Sequence, residues 1–360
     1  MAENTSLSIM NADAFPWVTV IMINYNGKHH LQTSLPRLMA TRYPHFDVVL
    51  VDANSVDGSQ EFLQNQWGSE PRISILLEKQ SSGLGAAQNL ATRTAKGELL
   101  VFLDNDARVT DGWLGPLVRA FQTNATIRAA QSKLVRDDLP RMIDGVGAFI
   151  SPIGLLIDRA RADKFRDVGQ WEKPENIFSV KGAAMMFGKQ ALQEAGGFDP
   201  DFFLYNEEPD LCWRIWSLGY DVAYVPTSVV YHNSSGSIAP RRSELRYFHG
   251  TKNYLFMVLK NMPTRQLVVA IPCHVAVWTL TSLFLLRKGK KRDAISVIRG
   301  FFWVFSHSRL IMERRSKRMQ ASRREVPRSV VRTFTISYLI RTMKEYTIDD
   351  PKERSSYLQS

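Results

Sequence analysis

Hydrophobic residues in the first hundred positions form short continuous runs that do not alternate with polar residues. The runs lie at residues 18–24, 48–51, 73–77 and 99–103. Helix-like segments separate them, near residues 29–40, 58–66 and 84–96. A continuous β-branched run is typical of a parallel strand that is buried on both faces. The alternation of strands and helices therefore predicts a doubly wound α/β sheet, in which a ligand lies beyond the carboxyl ends of the strands.

Polar, turn-forming residues follow three of these strands. They are Asn24-Tyr25-Asn26-Gly27, Asp52-Ala53-Asn54-Ser55 and Asp104-Asn105-Asp106. An Asp-x-Asp sequence after a strand suits a divalent cation, although the same residues also form an ordinary Asx turn. Because the carboxyl ends of parallel strands meet at one edge of a sheet, three polar ends favour a shared binding crevice.

A second acidic group, Glu207, Glu208 and Asp210, comes just before a predicted amphipathic helix. Acidic residues at a helix start often only complement the helix dipole, and this motif alone leaves that interpretation open. Combined with the Asp-x-Asp sequence, it gives one acidic group that can bind a metal and another that can accept a proton. A reaction that expels a diphosphate and activates a hydroxyl needs both. Residues 137–180 are irregular in pattern, and we interpret them as an inserted or acceptor-facing region.

Four stretches resemble the family 2 inverting glycosyltransferases of the GT-A fold, in particular the rhamnosyltransferase-type members that build bacterial surface polysaccharides. They read VTVIMINYNG, VVLVDANSVDGSQEFL, GLGAAQNLATRTAKGELLVFLDNDARVTDGWL and GAAMMFGKQALQEAGGFDPDFFLYNEEPDLCWRIWSLGYDVAYVPTSVVYH. The resemblance implies a GT-A, Rossmann-like nucleotide-diphospho-sugar transferase domain. It further implies transfer of a sugar, with rhamnose favoured, from a nucleotide-diphosphate donor to a lipid-linked glycan acceptor in O-antigen or cell-wall polysaccharide biosynthesis.

The resemblance also implies a donor site. Its residues are Asn24, Tyr25, Asn26, Asp52, Asn54, Gln88, Asn89 and Asp104. Many relatives read Asp-Asp-Gly-Ser after the second strand, where this chain has Asp52-Ala53-Asn54-Ser55, and the difference leaves the preferred base open. Gln88 and Asn89 stand where relatives often carry Arg-Asn, so one contact to the diphosphate is absent.

For the metal, the resemblance implies that Asp106 binds Mg²⁺ or Mn²⁺ directly, while Asp104 reaches the ribose or a metal-bound water. Oxygen ligands from protein and phosphate suit both ions. His232, in VVYHNSS, falls where some GT-A enzymes supply a further ligand. A lone histidine is more often structural, so both roles stay open for His232; as a ligand, an imidazole favours Mn²⁺ over Mg²⁺.

Glu208 aligns with the second acid of the family's Glu-Asp motif. The resemblance therefore implies that Glu208 is the general base that takes the proton from the acceptor hydroxyl. Burial, or the charge of Glu207 nearby, must raise its pKa for this role at neutral pH. Asp210, the third member of this catalytic acidic group, is expected to cap and orient the helix, and Trp213 and Trp216 are expected in the core.

Charge divides the chain into two regions. Residues 241–360 hold 25 Lys and Arg against 8 Asp and Glu, whereas residues 1–240 hold 21 against 27. This asymmetry indicates an anionic partner for the C-terminal region. Residues 267–286 are free of charged side chains and long enough to cross a membrane. Pro272 and His274 interrupt them, and a single crossing would place the basic residues that follow outside the cell, against the usual bias.

We therefore expect this apolar segment to lie in the membrane plane or re-enter it, with basic flanks on anionic headgroups. Residues 295–305 and 306–324 extend the pattern and predict a basic amphipathic helix at the membrane surface, with packing on the main domain as the alternative. The residues concerned are Phe302, Trp303, Phe305, Arg314, Arg315, Lys317, Arg318, Arg323 and Arg324.

The predicted organisation has four parts. They are a polar N-terminal segment (1–16), a GT-A domain (17–240), a basic and apolar helical region that associates with a membrane (241–345) and a polar tail (346–360). The first residues lack the basic and apolar regions of a secretory signal, and the two cysteines match no zinc or redox spacing. We therefore expect a cytoplasmic enzyme, associated peripherally with the inner face of the cell membrane.

Two alternatives of different class compete with this interpretation. The first is a protein that binds nucleic acid or an anionic membrane through its basic region and carries an inactive GT-A-like domain. The basic segment interleaves with apolar runs and matches no RNA or DNA module, so no nucleic-acid partner is expected. The second is a sugar nucleotidyltransferase, which would need a Gly-rich basic loop where this chain has Asn24-Tyr25-Asn26-Gly27.

Overall fold

The computed structural model describes residues 15–162, 165–233, 243–335 and 337–338. Strands and helices alternate through its first part. They are β1 (Val18–Asn24), α1 (Lys28–Met39), β2 (Phe46–Asp52), α2 (Ser59–Trp67), β3 (Ile73–Leu77), α3 (Leu84–Thr94) and β4 (Leu99–Leu103). All four strands and three helices predicted from the hydrophobic pattern are confirmed.

The middle of the described chain adds eight strands and four α-helices. The elements are β5 (Ala107–Val109), α4 (Leu114–Thr123), β6 (Ile127–Arg136), β7 (Ile143–Gly145), β8 (Ala148–Ile150), β9 (Leu156–Asp158), α5 (Arg159–Ala162), β10 (Glu175–Asn176), β11 (Ala184–Gly188), α6 (Lys189–Glu194), α7 (Glu207–Ser217) and β12 (Asp221–His232). The three carboxylates predicted just before a helix lie instead within the first turn of α7, because the helix begins at Glu207 itself.

Within the described residues, ten strands form one mixed sheet. Its order is β10-β12-β6-β11-β4-β1-β2-β3, with β5 beside β12 and β7 beside β6. β1 pairs in parallel with β2 and β4, and Asn24 stands opposite Asp52 at the carboxyl end. Side chains of β1 alternate between two cores, with Ile21 on one face and Val20 on the other. This burial of both faces explains the continuous apolar runs.

Within the described residues, four α-helices follow the sheet. They are α8 (Ser243–Asn261), α9 (Thr264–Arg287), α10 (Lys291–Ser306) and α11 (Ser308–Gln320). The predicted interruption at Pro272 and His274 is wrong: α9 continues through both, and His274 Nε2 lies 2.8 Å from the carbonyl oxygen of Ile153, which gives that ring nitrogen a hydrogen-bond partner. In the described part of the chain, α9 is the one helix whose length and composition would allow it to cross a membrane.

The predicted basic helix over residues 306–324 packs on protein. Arg314 pairs with Asp201 at 3.0 Å, and Arg315 donates to the carbonyl oxygens of Leu259 and Met262, both at 2.7 Å. The prediction that these two arginines contact a membrane is therefore wrong. The alternative, packing on the main domain, is what the structure shows for them. Arg314 reaches the carboxylate of Asp201 in the segment before α7, and Arg315 reaches the carbonyl groups at the end of α8.

Candidate active site

The side chain of Asn24 joins the ends of β1, β2 and β4. Its Nδ2 donates to Asp52 Oδ2 at 2.8 Å and to Ser55 Oγ at 3.2 Å, and its Oδ1 accepts from Asn105 Nδ2 at 2.7 Å. Asn24 and Asp52 are fully buried. A Cβ at Gly27 would collide with the Asn105 amide, so this close approach requires glycine. The three polar strand ends thus form one connected edge.

Three other predicted donor-site residues lie in the loops after β1 and β2. Tyr25 is 47% exposed, directly beyond the end of β1. Asn26 and Asn54 adopt left-handed φ angles of 51° and 64°. Asn26 is held by Ser55, whose Oγ accepts from its backbone N–H at 2.8 Å. Both loops therefore have defined shapes beside the edge that Asn24 organises.

The two predicted donor-site residues of α3 differ. Gln88 is buried, and its Oε1 has no hydrogen-bond partner within the residues that the structure describes. Asn89 exchanges two hydrogen bonds with the backbone of Phe198, at 2.7 and 2.9 Å. The Asn89 amide is therefore occupied in joining α3 to the segment that precedes α7.

Asp104, Asp106 and His232 come together beyond the ends of β4 and β12. One ligand atom from each residue lies within 4.8 Å of the other two. His232 Nε2 is 3.2 Å from Asp106 Oδ1 and 3.7 Å from Asp104 Oδ2. Asp106 and His232 are buried, whereas 43% of the Asp104 side chain is exposed. The structure thus brings together the three residues that the sequence assigned to a metal.

Asp144, in β7, contacts the other ring nitrogen of His232. Its Oδ2 lies 2.8 Å from His232 Nδ1 and 2.7 Å from Lys181 Nζ. Burial would raise the pKa of Asp144, but Lys181 and His232 hold it below its usual value. Burial would lower the pKa of His232, but Asp144 and Asp106 raise it to about 10. A carboxylate on the far nitrogen fixes the ring orientation, as it does around metal-binding histidines.

Glu208 lies in the first turn of α7, beside the start of β11. The Gly182 backbone N–H hydrogen-bonds its carboxylate, and a Cβ at Gly182 would collide with Glu208 Oε1. The next residue, Ala183, accepts a hydrogen bond from the Asp104 N–H at 3.1 Å. Two consecutive residues therefore contact Glu208 and Asp104. Burial raises the pKa of Glu208 to about 7; the charge of Asp104 adds to this effect and Lys181 opposes it.

The other two acids of α7 have different surroundings. Glu207 is buried, and burial beside Glu208 raises its pKa well above the usual value. Asp210 is fully buried between Lys260 Nζ and Arg214 Nη2, each at 2.8 Å. Burial alone would raise the pKa of Asp210, but these two cations hold it below its usual value. Asp210 thus links α7 to α8 and is closed off from solvent.

Sequence reasoning missed three residues of this site: Asp144, Lys181 and His30. Asp144 and Lys181 have no spacing that marks them, and only the pairing of β7 beside β6 brings Asp144 to His232. His30, in α1, is near enough to Asp106 and His232 for their charges to act on it; burial lowers its pKa and Asp106 opposes this. The His29-His30 pair, two residues after Gly27, was the available signal.

Known proteins share this domain. The sequence profile described as Glycosyl transferase family 2 matches residues 19–193. An O-antigen biosynthesis protein from Myxococcus xanthus is 30% identical over 241 residues, which are 65% of this chain and 18% of that protein. An N-acetylglucosaminyl-diphospho-decaprenol L-rhamnosyltransferase from Mycobacterium tuberculosis is 24% identical over 267 residues, which are 66% of this chain and 83% of that protein. The chain spans 36% and 25% of two further relatives, from Bacillus subtilis and Sinorhizobium fredii.

Solved structures share the fold. A mannosyltransferase from Pyrobaculum calidifontis, in complex with GDP-Man and Mn²⁺, superposes with a TM-score of 0.53 at 16% identity, over 94% of this chain and 89% of that one. GalNAc-T7 with UDP, GalNAc and Mn²⁺ gives 0.51 at 17% identity, over 68% and 51%. The resemblance and the fold class inferred from the sequence are thus confirmed. The chain carries a glycosyl transferase family 2 domain, which the family profile matches over residues 19–193, and its mixed sheet, which includes β12 beyond that range, has the GT-A fold.

Proposed function

We propose that this chain transfers a sugar, with inversion, from a nucleotide-diphosphate donor to a lipid-linked glycan during the synthesis of a surface polysaccharide. One observation carries the proposal: the Asp104, Asp106 and His232 group and the Glu208 carboxylate meet at one edge of the sheet, through Gly182 and Ala183. Rhamnose is the sugar that we favour, because a relative that matches 66% of this chain is an L-rhamnosyltransferase.

The ends of β1 and β2 hold the base and ribose of the donor in this proposal. Asn24 and Asp52 are buried and bonded to each other, so their role is to fix the walls of the site. The exposed ring of Tyr25 and the loops at Asn26 and Asn54 offer the contacting surface. Aromatic rings suit this task because they stack on flat bases.

The residues present fit a divalent cation. Two carboxylates and an imidazole approach one another within 4.8 Å, and Asp144 orients the imidazole from behind. Asp104, Asp106 and His232 would hold Mg²⁺ or Mn²⁺, and the nitrogen ligand favours Mn²⁺. Bound there, the cation would neutralise the negative charge of the departing diphosphate.

Glu208 acts as the general base. With a pKa of about 7, its carboxylate is ionised in part at neutral pH and basic enough to accept a proton. The acceptor oxygen passes its proton to Glu208 as it forms a bond to the anomeric carbon. The bond from that carbon to the diphosphate oxygen breaks, and its electron pair leaves with the diphosphate. Attack from the face opposite the leaving group inverts the anomeric centre.

An exposed apolar surface on α9 and α10 supports the choice of a lipid-linked acceptor. Its residues are Val268, Val269, Val275, Leu280, Leu283, Leu286, Ile295, Ile298, Phe302 and Phe305. Exposed cations lie where the two helices join, among them Arg287, Lys288 and Arg292. Apolar side chains with basic neighbours are typical of a surface that enters anionic headgroups. We therefore propose that the enzyme works at the cytoplasmic face of the cell membrane.

A thermal-shift panel of nucleotide sugars tests the transferase proposal. dTDP-rhamnose, UDP-GlcNAc, UDP-glucose, UDP-galactose and GDP-mannose are added with and without MnCl₂ or MgCl₂, to wild type and Asp106→Ala. A ligand that binds only the folded state raises the melting temperature. We expect one donor to stabilise wild type in the presence of metal, and to do so far less in Asp106→Ala. The absence of any donor effect in wild type would contradict the proposal.

Flotation with liposomes tests the membrane part separately. We expect the full chain to bind vesicles that contain phosphatidylglycerol more tightly than vesicles of phosphatidylcholine alone. Phe302→Asp combined with Phe305→Asp should release it, because both side chains lie exposed on α10. The matched control, Val56→Asp, places a charge at an exposed apolar residue of the loop after β2. Equal binding by all three proteins would contradict the membrane surface and leave the transferase proposal standing.

A further inference from the structure

The chain takes an unusual course directly before α7. Phe203 has φ of 63° and ψ of −53°, and Tyr205 and Asn206 have φ of 70° and 66°. The Leu204 N–H donates to the Phe202 carbonyl at 2.8 Å, which makes Phe203 the centre of a γ-turn of the rare, strained type. Residues with a Cβ rarely adopt such backbone angles, and these angles persist only where the surrounding structure holds the backbone in place.

Asn253, on α8, holds this turn. Its Nδ2 lies 3.0, 2.7 and 2.7 Å from the carbonyl oxygens of Phe202, Leu204 and Tyr205. The Asn253 side chain is fully buried. Two amide hydrogens shared among three carbonyl groups fix the direction of each peptide plane in the turn. Without this donor, the carbonyl groups would lose buried hydrogen bonds and the strained angles would lose their main restraint.

Other residues of α8 hold the segment that enters the turn. Lys252 Nζ donates to the carbonyl oxygen of Asp201 at 2.6 Å, and Lys260 Nζ pairs with Asp199 Oδ2 at 2.6 Å. On the opposite side, the Leu84 N–H at the start of α3 donates to the Phe203 carbonyl at 3.1 Å. The turn is therefore clamped between α8 and α3.

The turn leads straight into the helix that carries the proposed base. Asn206 is the last residue before α7, and its carbonyl oxygen accepts from the Asp210 N–H at 3.2 Å, within the first turn of the helix. Glu208 follows two residues later. A change in the peptide planes at Tyr205 or Asn206 would rotate the first turn of α7 and move the Glu208 carboxylate away from the Gly182 N–H.

We propose that Asn253 is a positioning residue for Glu208: it holds the turn over residues 202–206 and thereby aims the carboxylate at the acceptor hydroxyl. This inference rests on the proposed role of Glu208 as general base. It makes α8 part of the machinery of transfer, although the helix lies outside the residues that match the family profile.

Full-length Asn253→Ala provides the test. Its matched control is Ser282→Ala, which also removes a buried side-chain hydrogen bond from the helical region, between Ser282 Oγ and the Ala294 carbonyl. Three quantities are measured for each protein. They are amide hydrogen exchange of the peptide over residues 199–208, the thermal shift with MnCl₂ and the donor that stabilises wild type, and turnover of that donor by release of nucleoside diphosphate.

We expect the backbone amides of residues 199–208 to exchange about tenfold faster in Asn253→Ala than in wild type. Amide exchange in α9 and α10 should stay unchanged. Its kcat should fall by about 10- to 100-fold, because a small displacement of a reacting group is costly, while the thermal shift and the KM for the donor stay near wild type. Ser282→Ala should match wild type in all three. Adding Asn206→Gly to Asn253→Ala should recover part of the lost kcat, because glycine adopts a φ of 66° without a Cβ penalty.

Unchanged exchange at the turn in Asn253→Ala would overturn the proposal, as would faster exchange with unchanged kcat. If the alanine variant does not fold, Asn253→Ser, which keeps one hydroxyl donor, is measured in its place with a smaller loss of kcat expected and the same contradicting outcomes. If wild type neither binds nor turns over any donor, the proposed function fails and this inference falls with it, whatever the exchange data show.

Discussion

The Nδ1 atom of His232 lies 2.8 Å from Oδ2 of Asp144, so one carboxylate holds the imidazole while the other ring nitrogen faces Asp106 at 3.2 Å. The far partner of a metal-binding histidine fixes its tautomer and raises its basicity. Lys181 in turn holds Asp144 with a contact of 2.7 Å. The proposed metal site therefore includes Asp144, behind His232, in addition to its three ligands.

We expect Asp144→Asn to weaken Mn²⁺ binding by about 10- to 100-fold, as loss of such a partner does in other metal sites. Calorimetric titration with MnCl₂ measures this directly. Asp111→Asn is the matched control, because Asp111 forms a surface pair with Arg42 in which both side chains are mostly exposed. If Asp144→Asn binds Mn²⁺ as tightly as the control, His232 needs no support from Asp144, or does not bind metal.

Glu208→Gln should lower kcat by about 10²- to 10⁴-fold, the usual contribution of a positioned general base. The thermal shift with donor and MnCl₂ should remain, because the amide keeps the shape of the site. Glu207→Gln is the informative comparison: burial beside Glu208 raises the Glu207 pKa well above its usual value, so the amide replaces a carboxyl that keeps its proton more readily than an exposed glutamate does. Similar losses in the two variants would remove the distinction between the two acids.

The pH dependence of kcat should report the ionisation of the Glu208 carboxyl. Since burial raises its pKa to about 7, kcat should fall as the pH drops below that value and the base becomes protonated. Stability should change in the opposite direction. A carboxyl whose pKa is raised from 4.5 binds its proton more readily in the folded state, so its contribution is complete below 4.5 and is lost as the pH rises through about 7.

Glu208→Gln provides the control for both pH effects, because glutamine does not titrate. Its melting temperature should vary less between pH 5 and 8 than that of wild type. An acidic limb of kcat that stays near pH 4.5 in wild type would show that the carboxyl is well solvated, and would contradict its partial burial and its hydrogen bond from the Gly182 N–H.

The sheet could be predicted from the sequence because β1, β2 and β4 are buried on both faces and are each followed by polar residues. Asn24 and Asp52 stand opposite each other in register, so their strands delivered them to the same edge. The contact of Asp144 with His232 could not be predicted from the sequence. It depends on the pairing of β7, a short strand, and no local sequence pattern indicates that pairing. Functional residues at the ends of strands can therefore be predicted from the sequence. Residues that orient them through tertiary strand pairing cannot.

The basic C-terminal region shows a second limit. A count of charges does not distinguish an arginine that faces lipid from one that binds buried carbonyl groups. Arg315 donates at 2.7 Å to the carbonyl oxygens at the end of α8, and Arg324 pairs with Asp221 at 2.8 Å. Part of the positive charge therefore serves to attach the helical region to the sheet domain. Arg315 and Arg324 are therefore not available to an anionic surface, whereas exposed cations such as Arg287 and Lys291 are.

Substitution of Lys260 gives the strongest test of how the helical region is attached to the sheet domain. Its ammonium is buried between Asp199 and Asp210, at 2.6 and 2.8 Å, and so ties α8 to the segment before α7 and to α7 itself. Lys260→Met removes the cation and leaves two buried carboxylates with less compensation. We expect it to lower the free energy of unfolding by about 3–5 kcal/mol, as the breaking of a buried pair does.

Arg265→Met is the matched control, because Arg265 pairs with Glu325 at 2.7 Å on the surface, where both side chains are mostly exposed. Loss of an exposed pair costs at most about 1 kcal/mol. Urea unfolding, followed by far-UV circular dichroism, gives both values from the midpoint and slope. Equal costs in the two variants would mean that Lys260 contributes no more than a surface charge, and that α8 is attached mainly by its apolar face. A large cost for Lys260→Met alone would show that the helical region and the sheet domain unfold as one unit.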